Sequence, residues 1–117
     1  MEEPTITLEK SGTFHSAHFL PNHQGKCKNF HGHSWHYNVT CRGKESDLLH
    51  FDKPDDGMII DFGVIKAVVD SLCHKDLNKI ITNPTAERIA LFIMRQIPSC
   101  VKVELWETDT SKVTVEV

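Results

Sequence analysis

The sequence predicts an α+β domain, a four-stranded antiparallel sheet with two helices on one face, in the order ββααββ. Three observations carry that prediction. Apolar and polar residues alternate over residues 31–43 and again over 101–117, the period of half-buried strands. Between those stretches, Phe62 to Cys73 and Ile89 to Ile97 repeat apolar residues at helical spacing. Clusters rich in Pro, Gly, Asn and Asp separate the periodic segments and mark the loops.

Taken in order, residues 4–20 alternate in part (Ile6, Leu8, Phe14) and predict a long first strand, bent or bulged near Gly12. Pro21 to Lys28 is polar and reads as a loop. The second strand runs through Trp35, Tyr37, Val39 and Cys41 and ends near Gly43, and Lys44 to Gly57 is a second loop. Asp61 stands where a helix N-cap belongs, with Phe62, Ile65, Val69, Leu72 and Cys73 spaced as one helical stripe behind it. Asn83-Pro84 opens a second helix, Pro84 suiting its first position. Ile89, Phe92, Ile93 and Ile97 form its stripe, and Pro98 ends it. Val101, Val103 and Leu105 point inward from a third strand and Val113, Val115 and Val117 from a fourth, with a turn at about Asp109–Lys112. Such a sheet leaves a face and two edges to cover, which predicts a symmetric oligomer.

The 117 residues form one domain, 1–117, long enough for a real core. Charged residues make up 25% and the net charge is −3, so no basic field points to nucleic acid or an anionic membrane. No apolar run is long enough to span a bilayer. The start, Met1-Glu2-Glu3-Pro4, lacks an apolar signal region. The expectation is a cytoplasmic protein whose Cys27, Cys41, Cys73 and Cys100 are thiols rather than a disulfide framework.

Chemistry concentrates at His31-Gly32-His33. Residues two apart on a strand share a face, so these imidazoles can grip one cation, on the face that continues through Trp35, Tyr37 and Val39. A catalytic zinc site takes three protein ligands and keeps a position open, so a third ligand is required. His15 and His18 are three apart and point to opposite faces. His18 shares its parity with Phe14 and Leu20 and is the inward candidate, whereas His15 lies with Thr13 and Glu9. His15, His23, His36 and His50 read as ordinary surface or loop histidines.

Three further residues stand out. Glu107 continues the inward parity of Val101, Val103 and Leu105. Either it meets a ligand with two adjacent N–H donors, or the strand ends at Trp106 and the carboxylate is solvated. Cys27, one loop before the paired histidines, is a candidate base or nucleophile, with an inert thiol or a fourth zinc ligand as the other readings. His74, at the end of the first helix, is a candidate acid–base group or simply a histidine favoured by the helix dipole.

Phe14-His15-Ser16-Ala17-His18, Cys27-x-x-x-His31-Gly32-His33, Ile60-Asp61-Phe62, Leu72-x-His74-x-x-Leu77-Asn78, Asn83-Pro84-Thr85-x-Glu87 and Glu107-Thr108 occur in this order. Together, across almost the whole chain, they resemble the 6-pyruvoyl-tetrahydropterin synthase family. The gap between Cys27 and His31 is more similar to the bacterial branch, the 6-carboxy-tetrahydropterin synthases of queuosine biosynthesis, than to the biopterin-pathway enzymes. The resemblance implies a tunnelling fold (T-fold) assembled as a homohexamer whose sheets close into a barrel, with active sites between subunits. It implies Zn2+ on His18, His31 and His33, Glu107 on the aminopyrimidine edge of a pterin, and Thr85 as a further pterin contact. The implied reaction converts 7,8-dihydroneopterin triphosphate to 6-carboxy-5,6,7,8-tetrahydropterin, releasing acetaldehyde and triphosphate. Zinc would acidify the side-chain hydroxyls, Cys27 as thiolate would take a proton beside the ring, and His74 would move one on the other side. Lys26 and Lys28 are candidates for the triphosphate, although solvated loop charges are their ordinary role.

One position departs from the family pattern. Asp usually precedes the relay histidine, and here that residue is Cys73, which orients an imidazole poorly. Asp70, four residues before His74, is the expected substitute if both lie on one helix face, with Asp76 the less natural one. The alternatives to the carboxy product are the pyruvoyl product, a zinc-containing pterin-binding module with weak catalysis, and a purely structural zinc.

Overall fold

Alternating residues build the four strands and 3.6-residue stripes build the helices, much as the pattern predicts. The computed structural model describes residues 2–117. Its order is β1 (Thr5–His18), β2 (His31–Lys44), α1 (Phe62–Asp70), α2 (Ala86–Gln96), β3 (Cys100–Thr108) and β4 (Ser111–Glu116), with short 3-10 turns at Lys26–Lys28, Glu45–Leu48 and Leu77–Lys79. The strands lie in sequence order in one antiparallel sheet.

β1 and β2 pair without a shift from Thr5↔Lys44 to His18↔His31, so the expected bulge at Gly12 is absent. Gly12 has another cause. A Cβ there would stand 2.8 Å from the Tyr37 hydroxyl, so glycine makes room for the phenol across the strand pair. β1 also ends at His18, two residues short of the expected limit. Beyond it, Phe19 N–H donates to Asn78 Oδ1 at 2.8 Å and the chain leaves the sheet.

One face of the sheet carries Phe14, Trp35, Tyr37, Val39, Val103 and Leu105 into a single core with Ile65 and Val69 of α1 and Ile89, Ala90 and Ile93 of α2. The helices begin where their caps dictate. Asp61 Oδ1 accepts from Gly63 N at 2.7 Å, and Thr85 Oγ1 accepts from Arg88 N at 3.2 Å. Thr85 is therefore the N-cap of α2, and Pro84 precedes the cap rather than filling the first helical position.

Three other expectations are corrected. Phe62 is half-exposed rather than part of the buried stripe. α1 stops at Asp70, and Leu72, fully buried, belongs to the turn that follows. Val117 is 90% exposed because β4 ends at Glu116, and the β3–β4 turn is only Asp109-Thr110, Lys112 pairing with Trp106 inside the sheet.

The rings of Phe14 and Trp35 stack at 6.0 Å and 8°, both fully buried. Phe14→Ala should cost about 3–5 kcal/mol, by lost transfer energy and the cavity left behind. Denaturant unfolding measures this, and a cost below about 1 kcal/mol would show that the stack does not anchor the core.

Candidate functional site

The unshifted β1–β2 register sets His18 directly opposite His31, while His33 stands two residues further along the same face. The ring centroids are 4.6 Å (His18–His31), 4.7 Å (His31–His33) and 5.2 Å (His18–His33) apart. Trp35 floors the cluster, 5.2 Å from both His18 and His33. His18, His31, His33 and Glu107 each offer a ligand atom, all within 4.8 Å of one another.

Backbone carbonyls set the ring orientations. The Pro84 carbonyl oxygen lies 2.7 Å from His18 Nδ1, and that of Asn29 lies 2.6 Å from His31 Nδ1. A carbonyl can only accept, so both Nδ1 atoms carry the proton, and in the neutral ring Nε2 presents a lone pair to the centre. Histidines that ligate metals are oriented in this way.

Glu107 enters from β3, where the pairing with β4 shifts between Trp106 and Thr108. The strand continues through Thr108, so the alternative in which it ends at Trp106 is not what forms. Glu107 Oε1 is 3.0 Å from His33 Nε2 and 3.3 Å from His18 Nε2. Neither Nε2 makes a well-formed hydrogen bond, although both are buried. Orphaned buried polar atoms cost about 1–3 kcal/mol each, large beside a domain's total of about 5–15 kcal/mol. A cation among these acceptors removes that cost. Three imidazole nitrogens and a carboxylate form a donor set suited to a divalent transition-metal ion, zinc among them. Burial lowers the His33 pKa more than the Glu107 carboxylate raises it, so His33 favours the neutral, ligating form.

The remaining sequence candidates lie outside this cluster. Cys27 is half-buried in the Lys26–Lys28 turn, its carbonyl accepting from Leu20 N at 2.6 Å. Thr85 spends its hydroxyl on the α2 cap. His74 follows α1 in the left-handed region, with φ 57°, and its N–H donates to His15 O at 2.5 Å. Its ring lies 6.0 Å from that of His15, whose parity is opposite to that of His18. The expected pairing of Asp70 with His74 does not form. The helix ends at Asp70, and its carboxylate takes Lys66 Nζ at 2.6 Å on the surface. Asp76 caps the Leu77–Lys79 turn through Asn78 N. An open groove of about 600 Å³ is lined by His15, His33, Ser34, His74, Lys75 and Asp76, together with Phe30 and small residues. Only His33 belongs to both groove and cluster.

Sequence reasoning missed the carbonyls of Asn29 and Pro84 and the nearness of Glu107 to the histidines. The Asn83-Pro84 pair was the one available signal, since a residue ahead of the helix cap keeps a free carbonyl.

A family model described as 6-pyruvoyl tetrahydropterin synthase matches residues 7–117. The chain belongs to that family. It is 37% identical to a 6-carboxy-5,6,7,8-tetrahydropterin synthase of Synechocystis, over 89% of this chain and 88% of the relative. It is also 36% identical to a dihydroneopterin monophosphate aldolase of Pyrococcus furiosus, over 74% of this chain and 77% of that one. The solved 6-pyruvoyl tetrahydropterin synthase of Caenorhabditis elegans superposes with a TM-score of 0.74 at 25% identity, covering 100% of this chain and 99% of that one. The fold is thus the family's tunnelling fold, and the chain is a pterin-processing enzyme of lyase type. No helix among the described residues is long and apolar enough to cross a membrane.

Two outcomes follow from the cluster. His18→Ala should abolish stoichiometric metal binding, measured by elemental analysis after dialysis, while circular dichroism stays that of a folded protein. Retained stoichiometric metal would remove His18 from the site. In the metal-free protein the pKa of His33 is lowered from its ordinary 6.5, so the unfolded chain takes up a proton before the folded one as pH falls. His33 therefore adds stability that is full above pH 6.5 and is lost as pH drops through its folded value. Thermal melts of His33→Gln against the parent should show a smaller acid loss in the variant, and equal losses would exclude His33 as the cause.

Proposed function

We propose that the enzyme converts 7,8-dihydroneopterin triphosphate to 6-carboxy-5,6,7,8-tetrahydropterin, releasing acetaldehyde and triphosphate, in queuosine-type 7-deazapurine biosynthesis. The observation that carries the reading is the cluster of three inward imidazoles, with two Nε2 atoms orphaned beside Glu107. The relatives that bear the 6-carboxy name support this product.

Zn2+ held by His18, His31 and His33 would supply Lewis acidity toward the substrate's side-chain hydroxyls. The chain's own residues supply the rest. Cys27 removes a proton beside the ring as a thiolate, and Lys26 and Lys28 flank it as counter-charges for phosphate. His74 returns or relays a proton, with its imidazole lodged against His15 rather than against a carboxylate. Cys73, half-buried against the core, offers His74 no carboxylate. Glu107 uses Oε1 toward the histidines, and its pterin role is to accept N–H donors of the aminopyrimidine edge. Thr85 holds the α2 entry from which the Pro84 carbonyl reaches His18, so it serves the pocket wall. The enzyme would act in the cytoplasm as a homohexamer with active sites between subunits, a reading that rests on membership of the family.

A second reading rests on the aldolase relative. It is an aldolase-type carbon–carbon cleavage of a dihydroneopterin phosphate.

Mass spectrometry of the pterin formed by zinc-loaded protein, with acetaldehyde trapped in parallel, separates the outcomes. A 6-carboxy pterin with acetaldehyde supports the proposal. A pyruvoyl pterin or a 6-hydroxymethyl pterin replaces it with another reaction, and bound but unchanged substrate reduces the protein to a pterin-binding module. Cys27→Ala should lower kcat by about 10²–10⁴ with metal content unchanged, as expected for a lost proton-transfer group. Unaltered kcat would take Cys27 out of the reaction.

A further inference from the structure

Cys41 and Cys100 are Cα partners across β2 and β3, at the point where the pairing shifts between Thr40 and Cys41. Cα atoms of opposed antiparallel residues lie about 4.5–5.5 Å apart, inside the window of about 4.4–6.8 Å that a disulfide spans. Both side chains pack on the same core, Cys41 fully buried and Cys100 half-buried beside it. Apart from Cys41, the Cys100 sulfur has only a weak contact, 3.6 Å to the Lys102 carbonyl. We propose that Cys41 and Cys100 are an oxidative modification site, closing to a reversible disulfide within the subunit when the protein meets a peroxide.

The two thiols are unlike, and that sets the order of events. The Cys41 thiol beside it holds the Cys100 thiol down to about 7, against burial. Cys41 is pushed up by the Cys100 sulfur and by burial, so it keeps its proton. At neutral pH a large share of Cys100 is therefore thiolate. This sulfur attacks one peroxide oxygen, the O–O bond breaks, and hydroxide leaves, giving a sulfenic acid. Cys41 sulfur then attacks the Cys100 sulfur, its proton and the sulfenic hydroxyl leaving as water. Two thiols are oxidised by two electrons and one hydrogen peroxide is reduced to two waters. A dithiol reductant reverses the step by thiol–disulfide exchange.

The bridge has a structural consequence. β2 carries His31 and His33, and β3 carries Glu107. Linking Cys41 to Cys100 ties these strands at the end away from the histidines, locking their register without touching a ligand. It also closes a long loop of the unfolded chain, a constraint that stabilises the fold.

Reduced, metal-loaded protein is treated with hydrogen peroxide, alkylated, digested with trypsin without reduction and mapped by mass spectrometry. Cys41 and Cys100 are each the sole cysteine of their tryptic peptides, residues 29–42 and 96–102. The expected product is those two peptides joined, released by a phosphine reductant, with unchanged metal content and a raised melting temperature. Cys100→Ser, a near-isosteric change at the half-exposed member, should abolish the joined species and the rise in melting temperature together. The proposal is overturned if both peptides stay alkylated under peroxide, if Cys41 or Cys100 is joined instead to Cys27 or Cys73, or if the bridge links two subunits.

Discussion

The pairing of β1 with β2 fixes both the core and the site, because it runs fourteen residues without a shift. It sets His18 opposite His31 and Phe14 opposite Trp35. Slipping it by one residue would turn His18 to the polar face and Phe14 to water, so burial of the aromatic pair enforces the alignment of the imidazoles. Tyr37 adds a second lock, since its ring lies over Gly12 where any Cβ would collide with the phenol. The hydrophobic effect sets the strand register, and the geometry of the three histidines follows from it.

Two carbonyls then convert position into chemistry. Pro84 and Asn29 lie in irregular segments, just ahead of the α2 cap and of β2, where carbonyls escape the demands of helix and sheet. Asn83, with φ 46°, bends the chain into the left-handed region immediately before Pro84. Asparagine tolerates that conformation better than most residues. Proline next in line has no N–H to satisfy, so its carbonyl is the single backbone polar group that this residue has to place. The capping of α2 and the tautomer of His18 are in this way two results of one local turn.

Much of this was legible in the sequence. Period-two alternation located β2, parity chose His18 over His15, and Asp61 marked the start of α1. What escaped was set by tertiary geometry. The helical spacing of Val69, Leu72 and Cys73 continues past Asp70, yet the chain leaves the helix to carry residues 74–76 along the edge of β1, where Ala17 bridges to Asp76. The hydrogen bonds His74 N to His15 O and Ala17 N to Lys75 O compete with another helical turn, and they prevail. Periodicity cannot separate a buried turn from a last helical turn, so Asp70 and His74 read as neighbours. The same limit hid Glu107. Parity pointed it inward, but its distance from His18 and His33 depends on a bulge that β4 imposes on β3.

Charge balance explains why this carboxylate sits so near two imidazoles. With its Nδ1 proton committed to the Pro84 carbonyl, neutral His18 presents an Nε2 lone pair, and the Glu107 carboxylate oxygen 3.3 Å away repels that lone pair unless a positive charge intervenes. Protonating both rings would supply that charge, but burial already lowers the His33 pKa, and like charges on neighbouring imidazoles lower it further. A divalent cation meets the same need without charging either ring, and it draws its stability from the very groups that would otherwise be mismatched. His74 obeys a different constraint. Its backbone N–H is held by His15 O at the edge of β1, and it lines the open groove that His33 also lines.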